Sequence, residues 1–164
     1  MTNFRRLIEI LTDGGVEFIV VGGVAAAAHG AVRATLDLDV VYRRTRDNLQ
    51  RLVSSLTELR PYPRGAPPGL PFVWDERTVQ NGLNFTLKTE LGSLDLLGEI
   101  TAGGSYDDLL DHSDEIQVFG RRCRCIRLDE LIRVKRAAGR PKDYEAIAEL
   151  ERMLELIESK RDDG

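Results

Sequence analysis

The sequence predicts a mixed α/β (α+β) fold, in which a β-sheet is flanked by helices and followed by a C-terminal helical cap. Two observations carry this prediction. Apolar β-branched runs such as "FIVV" alternate with segments of helical periodicity in the first half of the chain, and amphipathic helical patterns fill the chain from residue 128 onward. A length of 164 residues suits one domain with a substantial core.

The first half of the chain alternates between the two periodicities. Gly14 and Gly15 end the first helical pattern, and Gly22 and Gly23 end the first apolar run, as glycine commonly does at such boundaries. The predicted elements are a helix over 3–13, a buried strand over 16–21, a short helix over 24–30, a strand over 35–42 and a helix over 45–59.

The second half opens with a Pro- and Gly-rich stretch over 60–71, which predicts a loop. Two strands joined by a turn near residues 90–92 follow, and then a strand or hairpin that bends at Gly120. Gly139 ends a helix that begins at residue 128, and Pro141 opens the last helix. The expected organisation is a core of residues 1–127 and a two-helix cap of residues 128–164 within one compact domain.

The composition, 42% apolar and 30% charged, is typical of a soluble globular protein. No apolar run approaches the roughly 20 residues of a membrane-spanning helix, and charges interrupt the N-terminal segment, which argues against a signal peptide. A cytoplasmic protein without a membrane partner is therefore expected. Cys123 and Cys125, two residues apart on a strand, are expected to be small buried hydrophobic residues rather than a metal or redox site.

The charge is unevenly distributed along the chain. The net charge is −4, but residues 121–142 contain nine Lys or Arg against two acidic residues. A local basic face suits an anionic ligand such as a nucleotide or RNA. A solvated helix face is the alternative explanation for any single arginine of this segment.

Two aspartates lie one residue apart in an otherwise apolar strand. Asp37 and Asp39 should project from the same face, because residues i and i+2 of a strand share a face. Two such carboxylates repel each other unless a cation neutralises them. The alternating residues should face the core: Leu36, Leu38 and Val40.

A third carboxylate is expected from a neighbouring strand. Asp95 lies inside the apolar run "GSLDLLG", where an unpaired acid would be costly. Three carboxylates are the oxygen ligands that Mg²⁺ prefers, and Mg²⁺ commonly shares its ligands with substrate phosphates. Two-metal phosphoryl chemistry would use such a set. A turn or an exposed strand edge is the alternative explanation for the Asp37–Asp39 pair alone.

Gly22 and Gly23 lie where a buried strand meets a short helix. Glycine allows a phosphate to approach the backbone, and the free N–H groups of a helix start favour an anion. The pair is weak evidence by itself, because neither a Walker A loop nor a G-x-G-x-x-G motif is present.

The two C-terminal helices each carry an inward-facing charge. Lys135 falls on the apolar stripe of the first helix, four residues after Leu131, and Asp143 falls on that of the second, four before Ile147. A buried lysine needs an anion, and a triphosphate would serve. Snorkelling to the surface is the alternative for Lys135, and a carboxylate favoured by the helix dipole is the alternative for Asp143.

In combination, these features resemble the polymerase-β-type nucleotidyltransferase superfamily. The order is a strand ending in Gly-Gly, a short helix, a strand carrying D-x-D, and a third Asp on a later strand. The segment "GGVAAAAHGAVRATLDLDV" resembles more narrowly the minimal bacterial branch of AbiEii/AbiGii-type toxins and MenT-like proteins. In that branch an Arg and a Thr or Ser precede D-x-D, as Arg33 and Thr35 do, and a Lys and a Lys-Asp pair occur as Lys135 and Lys142–Asp143 do.

The resemblance implies transfer of a nucleoside monophosphate from an NTP to an acceptor hydroxyl. It implies that Asp37, Asp39 and Asp95 bind two Mg²⁺ ions, with Mn²⁺ as an alternative. Gly22, Gly23, Arg33, Thr35, Lys135 and Asp143 are then expected to bind the substrate. Position 23 departs from the commonest pattern, which has a serine there.

Three classes of acceptor are left open by the sequence. RNA, especially tRNA, or a partner protein would fit a toxin–antitoxin system with a cognate toxin or antitoxin, and an antibiotic of the aminoglycoside type is a further alternative. A module that binds nucleotide or a partner without chemistry is an alternative of a different class.

Overall fold

The structure is a computed structural model, and it describes residues 1–163. A seven-stranded mixed sheet forms its centre, with helices packed on it, as the sequence predicts. The strands are β1 (Phe18–Val21), β2 (Asp37–Tyr42), β3 (Tyr62–Pro63), β4 (Asn84–Thr89), β5 (Gly92–Leu97), β6 (Glu99–Ile100), β7 (Gly104–Ser105), β8 (Ser113–Val118) and β9 (Arg121–Ile126). The α-helices are α1 (Phe4–Asp13), α2 (Gly22–Ala28), α3 (Arg46–Leu56), α4 (Glu76–Asn81), α5 (Tyr106–Leu110), α6 (Leu128–Ala138) and α7 (Tyr144–Asp162).

The order of the strands places β2 at the middle of the sheet. The order is β3-β4-β5-β2-β1-β9-β8, and β6 and β7 pair separately. Strand β2 is parallel to β5 and antiparallel to β1, and β1 is parallel to β9. A central strand is flanked on both sides, so its side chains lie in the most enclosed part of the sheet.

Apolar side chains of the sheet and of the helices packed on it form the core. All four residues of β1 are buried, and Leu38 and Val40 of β2 have no exposed surface. Helix α1 contributes a stripe of Leu7, Ile8 and Leu11 at helical spacing. The burial of β1, Leu38 and Val40 agrees with the prediction, and the exception is a residue just before β2.

Leu36 was predicted to face the core, but this prediction is wrong: its exposed fraction is 76%. The strand begins at Asp37, so Leu36 belongs to the irregular connection from α2. The two-residue period of a strand holds only within the hydrogen-bonded ladder.

The segment over 60–71 is not wholly a loop as predicted. Tyr62 and Pro63 form β3, a two-residue edge strand that pairs with β4. Proline is tolerated on an edge strand because its missing N–H group can face away from the ladder. Helices α4 and α5, which the sequence did not indicate, are only five or six residues long.

The predicted hairpin near the C-terminal half is present as β8 and β9. Gly120 lies at its bend with φ +84°, a conformation that favours glycine. Cys123 and Cys125 of β9 are buried and unpaired, and burial raises the pKa of these thiols to about 11 and about 12. A thiol with so high a pKa is a poor nucleophile, so both cysteines act as small core residues.

Helices α6 and α7 follow β9 and pack against each other. Arg127 connects β9 to α6, and the division into a core of residues 1–127 and a cap of residues 128–164 stays a prediction. Gly164, the last residue of that cap, lies outside the described residues. None of the helices within residues 1–163 is long and apolar enough to cross a membrane.

Candidate active site

Three carboxylates meet at the centre of the sheet. In the parallel pairing of β2 with β5, Asp39 lies beside Asp95 and Asp37 lies beside Ser93. Because paired residues of neighbouring strands share a face, the three aspartates project to the same side. The Asp95 side chain is 17% exposed and that of Asp37 is 38% exposed.

The environment of Asp39 disfavours its negative charge. Burial, together with the nearby charges of Asp95 and Asp37, raises the pKa of this carboxyl from 3.8 to about 7. Arg64 opposes this effect only in part. A central carboxyl that titrates near neutral pH indicates a site whose negative charge lacks a partner.

Two buried carboxylate oxygens have no hydrogen-bond donor among residues 1–163: Asp39 Oδ1 and Asp95 Oδ1. Buried acceptors are usually satisfied, because an unpaired one retains the full cost of desolvation. Asp39 Oδ1 in particular points to a ligand that supplies positive charge, because a guanidinium already lies 2.9 Å from Asp95 Oδ1.

Arg64 forms ion pairs with two of the three carboxylates. The sequence did not identify this arginine as a residue of the site. Its Nη2 is 2.9 Å from Asp95 Oδ1, and its Nη1 is 3.6 Å from Asp37 Oδ1. The approach to Asp95 is close but not aligned as a hydrogen bond. Arg64 directly follows β3, so its position depends on the unexpected pairing of that strand with β4.

The three carboxylates supply the type of ligand atom that a divalent cation prefers. In the described part of the chain, no three His, Cys, Asp or Glu side chains are already arranged to hold a metal ion. However, Asp37 and Asp39 with Asp95 offer an all-oxygen set, and two of its oxygens lack donors. Hard cations such as Mg²⁺ and Mn²⁺ prefer such ligands. Binding of two ions stays a prediction.

Gly22 allows the backbone to lie directly against Asp39. A Cβ atom at this position would lie 2.1 Å from Asp39 Oδ2, and the φ of Gly22 is +66°. Both the space and the conformation therefore require glycine. Helix α2 begins at Gly22, two residues earlier than expected.

Thr35 explains why position 23 is a glycine. A Cβ atom on Gly23 would lie 2.6 Å from Thr35 Oγ1 and 2.8 Å from Thr35 Cβ. A serine at position 23 would therefore require the Thr35 side chain to move. The Thr35 hydroxyl, which donates to the carbonyl oxygen of Asp37 at 3.2 Å, lies beside the place that a serine at 23 would occupy.

The charged residues that were predicted to bind the substrate form ion pairs with each other or with residues of α7. Arg33 Nε lies 3.2 Å from Glu149 Oε2, and Arg33 Nη2 lies 3.5 Å from Glu145. Lys135 and Asp143 both point inward, as expected, and lie 3.9 Å apart. At that separation the pair is loose, so an anionic ligand could compete for the ammonium group.

Two cavities share Lys135, and the larger of them reaches the carboxylates at Asp39. One, of about 310 Å³, has an apolar wall from β1, β9 and α6 and reaches Gly22 and Asp39. The other, of about 150 Å³, is lined by Gly23, Thr35 and Arg33. Apolar walls with a few convergent polar groups are typical of small-molecule sites.

The basic segment over 121–142 is largely neutralised within the fold. Seven of its nine basic residues form ion pairs within residues 1–163. The pairs are Arg121–Asp13, Arg122–Glu115, Arg127–Asp129, Arg133–Glu130, Lys135–Asp143, Arg136–Glu151 and Arg140–Asp143. The segment therefore presents less free positive charge than the sequence count indicates.

Two solved structures that are similar in fold to this chain are described as nucleotidyltransferases, one of them provisionally. The lincosamide antibiotic adenylyltransferase LnuA, solved with lincomycin bound, has a TM-score of 0.60 and 16% identity over 93% of this chain and 98% of its own. TM1012 from Thermotoga maritima, whose assignment as a nucleotidyltransferase is provisional, has a TM-score of 0.58 and 12% identity over 91% of this chain and 94% of its own. No protein-family model and no curated protein matches the chain.

These similarities define the fold of the chain as that of the nucleotidyltransferases, which confirms the fold expected from the sequence. They do not single out the AbiEii/AbiGii or MenT-like branch.

Proposed function

We propose that the protein is a Mg²⁺-dependent nucleotidyltransferase, which moves a nucleoside monophosphate from an NTP to an acceptor hydroxyl. One observation carries the proposal: Asp37, Asp39 and Asp95 share one face of two adjacent strands, with buried oxygens that lack donors. The acceptor oxygen would bond to the α-phosphorus while the bond to the bridging oxygen breaks, so that pyrophosphate leaves. A bound divalent cation would stabilise the charge that develops on the phosphoryl oxygens.

The protein's own groups have separate roles in this proposal. Asp37 and Asp39 would hold the cation, and Asp95 would orient the acceptor hydroxyl and accept its proton. The backbone at Gly22 and Gly23 and the hydroxyl of Thr35 would contact phosphate oxygens. Such positioning supplies much of the catalysis in phosphoryl transfer.

Cationic and polar groups from the cap would complete the nucleotide site. Lys135 borders both cavities, so it can reach a phosphate group from either side. Asp143 would hold Lys135 in place until the nucleotide binds. Arg33 would contribute through its position beside Gly23 and Thr35.

RNA, especially tRNA, or a partner protein of a toxin–antitoxin system is the acceptor that the sequence favours. Ion pairing within residues 121–142 weakens the case for RNA, because it leaves less free positive charge to bind an anionic acceptor. The similarity to LnuA over 98% of that protein favours a second candidate, the hydroxyl of a small molecule such as an antibiotic.

Incubation with each α-labelled NTP and Mg²⁺ would separate these acceptors. Total tRNA, a candidate partner protein and a lincosamide would be offered together, and we expect label on one of them for the wild type and on none for Asp37→Ala. Label incorporated equally by both proteins would contradict the site. Nucleotide binding without transfer to any acceptor would instead favour a binding module.

A further inference from the structure

Arg64 is anchored to the sheet rather than carried on a loose surface chain. Its backbone N–H donates to the carbonyl oxygen of Thr86 at 2.9 Å, and its Nη1 donates to that of Leu87 at 3.2 Å. The side chain is 33% exposed. These contacts with β4 direct the guanidinium toward Asp95 and Asp37.

The guanidinium is a fixed positive charge at one end of the carboxylate cluster. Arginine stays protonated in proteins, so this charge does not depend on pH or on a chelator. It lies 2.9 Å from Asp95 and 3.6 Å from Asp37, whereas Asp39 Oδ1 remains without a donor. The guanidinium therefore lies closest to Asp95 and farther from Asp37, and it leaves Asp39 Oδ1 without a donor.

The charges of the cluster balance with one divalent ion. Three ionised aspartates carry three negative charges, Arg64 supplies one positive charge, and a single divalent cation supplies the other two. A second divalent ion next to Asp95 would have to approach a guanidinium within a few ångströms, where like charges repel strongly in a partly buried site.

We propose that Arg64 takes the place of the second metal ion, so that the site binds one divalent cation, at Asp37 and Asp39. This inference rests on the proposed nucleotidyl-transfer site and specifies its metal content. The guanidinium then presents N–H groups on the Asp95 side, where a metal-bound acceptor would otherwise be expected. Its role is to position the Asp95 carboxylate and to compensate its charge.

Titration of Mn²⁺ into the purified protein, followed by the electron paramagnetic resonance signal of free Mn²⁺, tests this inference without any enzymatic activity. We expect one Mn²⁺ per wild-type chain. Arg64→Met should admit a second ion at Asp95, or bind the first at least about tenfold more tightly, because a nearby positive charge is removed. Arg64→Lys, which keeps the charge, should still bind one.

Arg60→Met is a matched control, because Arg60 lies in the same segment but its side chain is 85% exposed and faces Glu90. It should bind Mn²⁺ as the wild type does. Two ions in the wild type, or one ion at unchanged affinity in Arg64→Met, would overturn the role of Arg64. Absence of Mn²⁺ binding in every variant would count against the carboxylate site itself, and so against the proposed function as well. Circular dichroism would verify that each variant is folded.

Discussion

Asp39→Asn should stabilise the metal-free protein at pH 8 and at the same time abolish nucleotidyl transfer. Burial, reinforced by Asp95, raises the pKa of Asp39 from 3.8 to about 7. The folded state therefore holds the proton more tightly than the unfolded chain does. Ionised Asp39 destabilises the fold progressively as the pH rises from about 4, and the full cost is present above about pH 7.

The pKa shift sets an upper limit on the free energy of unfolding that ionised Asp39 costs. A rise in pKa from 3.8 to about 7 corresponds to at most about 4 kcal/mol, and relaxation of the site will reduce it. Asparagine keeps the shape, removes the charge and offers an N–H donor to Asp95. A gain of about 2 kcal/mol would raise the melting temperature by roughly 4–8 °C for a chain of this length.

Thermal melts in EDTA at pH 8 and pH 5 would measure the stability change. The difference between Asp39→Asn and the wild type should shrink at pH 5, where Asp39 is already protonated. Asp114→Asn, at an exposed position on the edge strand β8, should show no such pattern. An asparagine variant that is less stable than the wild type at pH 8 would contradict a destabilising charge at Asp39.

Gly22→Ala should damage both the fold and the site. The methyl group would lie 2.1 Å from Asp39 Oδ2, in a backbone with φ +66°. The left-handed conformation costs a non-glycine residue about 1–2 kcal/mol, and steric overlap in a packed region adds about 1–3 kcal/mol. Because Asp39 must shift, we expect transfer to fall by about a hundredfold or more, as a displacement near 1 Å can cause.

Urea unfolding and the labelled-NTP assay would measure the two losses, and Gly69→Ala would separate their causes. Gly69 has φ +87°, and no described atom lies within 4 Å of a Cβ placed there. It should lose about 1–2 kcal/mol through the backbone alone and keep full transfer. Equal activity of Gly22→Ala and Gly69→Ala would mean that Gly22 does not support Asp39.

Local patterns were sufficient to predict the central part of the site. The β-branched run before Gly22 predicts β1, and the two-residue spacing of Asp37 and Asp39 predicts their shared face. Asp95 could be anticipated because an acid flanked by leucines in an apolar strand needs a partner. These inferences depend only on residues close together in the sequence.

The parts that the sequence did not predict depend on distant contacts. Arg64 reaches the carboxylates only because β3 pairs with β4, more than twenty residues later in the chain. The need for glycine at position 23 arises from Thr35, which packs against it after the chain has turned back. Leu36 shows the converse error, since a local alternation was extended one residue beyond the strand that sustains it.

The charge of the basic segment was misjudged for the same reason. Counting its residues gave a strong local excess, but partners such as Asp13 on α1 and Glu151 on α7 lie far away in the sequence. Charge counts along a chain therefore indicate a binding face only when the folded neighbours leave the charges free.

The proposed function rests on one claim, that the carboxylates, and not the fold alone, bind the nucleotide. Calorimetric titration of Mg²⁺–NTP into the wild type and Asp37→Ala tests it most directly, because Asp37 is partly exposed and its truncation should leave the core intact. We expect saturable binding by the wild type that disappears in EDTA and is lost in Asp37→Ala. Equal binding by both proteins would contradict the claim.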